Sequence, residues 1–168
     1  MKNNFFEKDI KNSVEYGWRK NTVKGLLIIW AVVAAVLLFA VLIASVGDMQ
    51  YIGLSLEIWL IVVGIYGAAL LPFVAFYGYK MLYLLKHYEQ FDSYEVVLDK
   101  VSTSYMYRGA VYYTVTVDVD GVSRWVDTNA CFSGGVFAKF PLDEYNNKKV
   151  VGLYDSQMDK FYIIKKVS

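Results

Sequence analysis

The chain has one histidine and one cysteine, His87 and Cys131, and neither stands among partners that would make it reactive. A zinc site needs three or four His, Cys or carboxylate ligands, and a hydrolase triad needs its histidine beside a nucleophile. His87 has no such set near it in sequence and reads as an amphipathic side chain on a helix flank. A single cysteine excludes an internal disulfide and suits a reducing compartment, and no basic neighbour activates it as a thiolate. Asp118, Asp120 and Asp127 cluster in sequence, which raises Ca²⁺ binding. Their spacing lacks the glycine and the closing glutamate of an EF-hand loop, so they read as the solvated side of a hairpin. Asp155 and Asp159 bracket a short loop as ordinary turn residues. Gly134-Gly135 lacks the Lys-Ser/Thr of a phosphate-binding loop. The expectation is no catalytic residue, no metal and no cofactor.

Aromatic residues are the other candidates. Tyr105, Tyr107, Tyr112 and Trp125 are of the types that anchor protein interfaces, and Tyr113 lies among them. The competing reading is cross-strand packing on a small sheet. Tyr112 and Trp125 carry the partner-binding reading furthest, because they fall off the valine face of their strands. Nucleic acid is a poor partner: from Tyr88 onward nine Lys/Arg stand against eleven Asp/Glu, a formal −2. That balance lacks the electrostatic footprint of phosphate-backbone binding.

Two long apolar runs must position these residues. Residues 25–46 contain no charge, and 22 residues at 1.5 Å each reach about 33 Å, enough to cross a hydrocarbon core. Residues 54–79 form the second run, with Glu57 near one end and Pro72 as an internal kink. A cleaved signal peptide is the rival for the first run, but the stretch is longer than a signal's apolar region and a second span follows. Lys2, Lys8, Lys11, Arg19, Lys20 and Lys24 precede the first span, and Lys80 and Lys86 follow the second. The connection, residues 47–53, has none. The positive-inside rule then places both termini in the cytoplasm, in an inner-membrane protein with a short external loop. Ala31/Ala35, Ala40/Ala44 and Gly64/Ala68 form small-xxx-small pairs that predict packing of the intramolecular hairpin, with a dimerisation face as the alternative. Neither interior carries the ionisable residues of a transport pathway.

The flanks extend the spans. In residues 1–24, Asn4 and Glu7 resemble a capping box, and Phe5, Phe6, Ile10, Val14 and Trp18 recur at nearly helical spacing. This predicts a short helix lying on the inner leaflet, or else a frayed tail. Residues 80–90 prolong the second helix as a stalk.

Residues 91–168 read as β structure. Residues 94–103 are rich in β-branched side chains. In residues 111–120, Val111, Tyr113, Val115, Val117 and Val119 alternate with polar residues, a strand buried on one face. Asp120-Gly121 marks a type I′ turn into residues 122–127, pairing Val119 with Val122 and Val115 with Val126. Arg124 then shares the face of Val117. Residues 128–139 form a loop, and strands at 148–154 and 160–167 close the unit. Five strands in this length predict a small antiparallel sheet or partial barrel of OB or SH3-like type. The fold class is therefore α+β: a two-helix transmembrane hairpin followed by a small β domain.

Lys149-Val-Val-Gly-Leu-Tyr-Asp155, followed by a short strand, resembles uncharacterised small bacterial membrane proteins of the domain-of-unknown-function type. In those, one or two spans accompany a β unit closing on V-x-V-x-Y-D-P. Here Gly152 stands at the second Val and Ser156 at the Pro. The resemblance implies the layout but no activity. The functional expectation is a non-enzymatic membrane-anchored module, in a lipid bilayer, binding a protein partner or a second copy of itself. The alternative is a small accessory subunit of a transporter, channel or envelope-protein complex.

Overall fold

The computed structural model describes residues 5–44, 52–99, 101–103, 110–129, 131–132 and 142–167. The chain forms two compact units, Thr22–Tyr79 and a second built from Met1–Asn21 with Lys80–Ser168.

The first unit is a hairpin of two long helices, α2 (Val14–Ala44) and α3 (Ile52–His87), both continuing at their basic ends into the second unit. Both are long and apolar enough to cross a membrane, and their large apolar side chains, such as Phe39, Ile65 and Phe73, are exposed. Pro72 lies within α3 without ending it. The helices meet through tryptophan. Trp30 Nε1 donates to Val63 O at 3.3 Å, and Trp59 Nε1 donates to Ala34 O at 2.9 Å. A Cβ at Gly67 would lie 2.9 Å from Trp30 Nε1, so the indole needs a glycine opposite it.

The residues of the expected packing pairs lie apart from these two tryptophan contacts. Ala31, Ala35, Ala40, Ala44, Gly64 and Ala68 are all exposed, and a Cβ at Gly64 would meet nothing within 4 Å. Among the less exposed positions are Val33, Leu37 and Val41 on α2, and Trp59, Val63, Tyr66, Gly67, Leu70 and Val74 on α3. Large indoles reach across at these positions, so the small residues are not needed between the helices.

The second unit contains a curled half-barrel. Its strands are β1 (Asp92–Val97), β2 (Val101–Thr103), β3 (Ala110–Val119), β4 (Val122–Thr128), β5 (Cys131–Phe132), β6 (Lys149–Asp155) and β7 (Lys160–Lys166), with a helical turn α4 (Leu142–Tyr145) before β6. The strand order is β1-β6-β7-β4-β3-β2, and β5 pairs with β3. In the central hairpin, Val119 pairs with Val122, Val117 with Arg124 and Val115 with Val126. Asp120 and Gly121 take φ of 53° and 80°, the positive angles of a type I′ turn.

The sheet is mixed, not wholly antiparallel as expected. β4 and β7 pair in parallel through Asp127 with Lys160 and Thr128 with Phe161. Each is the second strand of its own hairpin, so the two hairpins lie side by side and point the same way. The expected strand over 94–103 divides into β1 on β6 and β2 on β3. The curl brings β1 back against β3.

Strand β7 is buried on both faces, hence its run Phe161-Tyr162-Ile163-Ile164. One face holds Tyr162 and Ile164, which join Leu153, Leu84, Phe91 and Ile10 in a single core cluster, with Phe5 packed against it. The N-terminal segment thus packs through Ile10 and Phe5 on this core. It forms α1 (Glu7–Lys11), which buries Ile10 completely, and Trp18 is 7% exposed. Phe6 is the N-cap and Asp9 Oδ2 accepts its N–H at 3.0 Å. The expected cap at Asn4 lies outside the described residues.

Candidate functional site

Register divides the β3–β4 hairpin into two faces. Tyr113, Val115, Val117 and Val126 are buried on one. The other carries the Thr116–Trp125, Asp118–Ser123 and Thr114–Asp127 pairs. Trp125 is 73% exposed there, a large aromatic surface outside the core. Thr114 Oγ1 donates to Asp127 Oδ1 at 2.8 Å, which ties the ladder beside it. Asp118 is exposed two residues along from Thr116, so carboxylates stand on both sides of the indole. Tyr112 lies on this face too, half-buried, four residues or about 13 Å from Thr116. Tyr105 and Tyr107 lie outside the described residues.

A second constellation escaped sequence reasoning. Asp155, fully buried, accepts at Oδ1 from the N–H groups of Gln157 (2.9 Å) and Met158 (3.2 Å) and at Oδ2 from Tyr83 Oη (3.0 Å). One carboxylate thus shapes the β6–β7 turn and holds the end of α3. Tyr162 stacks on Phe91 with centroids 5.8 Å apart. Its hydroxyl is pushed well above the ordinary tyrosine value, first by burial and then by the nearby charges of Asp155 and Glu15. Glu15 and Arg19 form an ion pair one helical turn apart, Nη1 to Oε2 at 2.6 Å, with side chains 0–1% exposed. Arg19 Nη1 also donates to Glu15 O at 2.9 Å, whereas Nε and Nη2 have no hydrogen-bond partner among the described residues. The Nη1–Oε2 approach itself lacks hydrogen-bond alignment, so its attraction is mainly charge on charge. The signal for this cluster was weak: Glu15 and Arg19 at i, i+4 look like any surface helix pair.

These groups hold the unit together. They are closed to solvent, and a neutral tyrosine with a paired arginine offers no accessible base or nucleophile. His87 Nδ1 lies 3.4 Å from Gln90 Oε1 and its ring is 4.7 Å from that of Tyr83, away from any acid set. Cys131 sits on β5 opposite Val111. No group of three or more His, Cys, Asp or Glu side chains able to hold a metal occurs among the described residues. Gly134-Gly135 lies outside them.

Fold and site together define a class by architecture: an apolar two-helix hairpin with a curled β half-barrel. No family model, curated protein or solved structure matches the chain.

Proposed function

We propose that this chain is a non-enzymatic, membrane-anchored interaction module. Its hairpin spans the inner membrane with both termini in the cytoplasm, and its β unit binds a protein partner or a second copy at the membrane surface. The observation that carries the reading is Trp125, 73% exposed on an ordered strand face between Asp118 and Asp127. Removing one large aromatic from water on a rigid platform is how interface anchors work, and the flanking acids favour a partner with basic residues. The lysine-rich flanks and a connection lacking Lys and Arg support the orientation.

Photo-reactive side chains placed at Trp125 and Tyr112 in cells, followed by mass spectrometry, test this. A recurrent crosslinked protein, weakened by Asp118→Lys, is the expected result. Crosslinks to lipid or to nothing would refute it. Labelling of a cysteine in the 47–53 connection from outside, with Cys131 protected, checks the orientation.

The alternative, an accessory subunit held by its helices, draws support from the exposed pairs Ala31/Ala35 and Gly64/Ala68, which are left available to another helix. Leucine at these four positions abolishes assembly under that reading and leaves it intact under the first.

A further inference from the structure

We propose that the basic end of the helical hairpin holds an acyl chain of an anionic membrane phospholipid. The inference rests on the hairpin spanning a bilayer. Between α2 and α3 lies an open cleft of about 250 Å³, lined by Leu26, Leu27 and Trp30 on one helix and by Gly67, Leu70, Leu71 and Val74 on the other. It exceeds the roughly 150 Å³ apolar cavity that suffices to take up benzene.

Gly67 and Trp30 both line the cleft, and the missing Cβ at Gly67 lets the indole lie against the facing helix, so a larger residue there must take up the cleft or push the indole into it. The indole N–H is turned onto Val63 O, so every side chain facing the cleft offers only apolar surface. Such a space in a bilayer suits a hydrocarbon tail.

The headgroup preference comes from position. Leu26 and Leu27 begin the uncharged run, and Lys24 is exposed three residues before Leu27, on the same helix face. A tail seated between Leu27 and Leu71 therefore brings its phosphate to the level of the Lys24 ammonium group. A zwitterionic headgroup gains less from it.

The test reconstitutes the full chain into phosphatidylcholine vesicles. Each vesicle carries a trace of lipid with a diazirine at mid-tail, on either a phosphatidylglycerol or a phosphatidylcholine head. Labelled positions are mapped by mass spectrometry. Label concentrated on residues 26–30 and 67–74, at least threefold stronger for the phosphatidylglycerol probe, is expected. Gly67→Leu should remove most of it. Leu71→Trp, at a 63% exposed position, fills the cleft from the other wall if the first variant misfolds. Lys24→Gln should erase the headgroup preference while keeping the label.

Label spread evenly around both helices, or unchanged by the filling variants, overturns the site. Disulfide-linked dimers through Leu27→Cys, with little lipid label, overturn it in favour of a second copy. A chain that does not float with the vesicles refutes the membrane reading itself, a separate failure from even labelling.

Discussion

Removing the charge of Arg19 tests the buried clasp most sharply. Arg19 and Glu15 are 0–1% exposed and 2.6 Å apart, so neither is screened by water. Arg19→Met leaves the Glu15 carboxylate buried without its counter-ion, which costs about 3–5 kcal/mol. That is a large share of a domain stability of about 5–15 kcal/mol. Glu15→Leu strands the guanidinium and should cost a similar amount. The double variant removes both charges along with Arg19 Nε and Nη2, which already lack partners among the described residues. Each such orphaned donor costs about 1–3 kcal/mol, so the double variant should lie within about 1 kcal/mol of the parent, or above it. The coupling between the two sites, the two single losses less that of the double, should then be about 5 kcal/mol or more. Urea unfolding of the full chain in mild detergent, followed by near-ultraviolet circular dichroism, measures the cycle. The exposed pair Lys11–Glu7 has the same i, i+4 spacing, and breaking it should be silent. Single variants costing less than about 1 kcal/mol, or a double variant as damaged as the two singles summed, would refute a buried clasp.

Two further outcomes follow from the same core. A Cβ at Gly152 would lie 2.3 Å from Phe161 Cε1 and 2.5 Å from the backbone oxygen of Tyr162. Gly152→Ala should therefore destabilise by at least about 1–3 kcal/mol in the same unfolding assay, and pairing it with Phe161→Leu should recover part of the loss. The Tyr162 hydroxyl is raised above its ordinary value of 10.0, so the native state keeps a proton that the unfolded chain releases. Its contribution is complete below about pH 10 and falls as pH rises beyond it, by about 1.4 kcal/mol per unit. Unfolding midpoints recorded from pH 8 to 11 should show that decline, and Tyr162→Phe should lessen it, the raised Tyr145 and Tyr154 hydroxyls supplying the remainder.

Local patterning carried much of the fold. The two long apolar runs declare themselves by length and composition, and the alternation from Val111 to Val119 repeats with the period of a strand. The Asp120-Gly121 turn sets its own register, because the positive φ that it needs admits few residues, and Val115–Val126 pairing follows from it. The candidate face was legible for the same reason: period two places Trp125 opposite the valine face.

What the tertiary structure decided are contacts between segments far apart in the chain. Ile10 carries the same helical periodicity whether it faces lipid or a sheet, and only β7 and the end of α3 settle which. The small residues of the helices advertise a close approach, yet Trp30 and Trp59 reach across and move the contact to Gly67 and Ala34. Gly152, which departs from the V-x-V pattern, is small because the Phe161 ring occupies the space beside it. Asp155 reads as a turn former, but Tyr83 makes it a tie between stalk and sheet. Periodicity is a property of a segment by itself. The partner that covers a face belongs to the folded whole, and here that partner decides how the unit is held together.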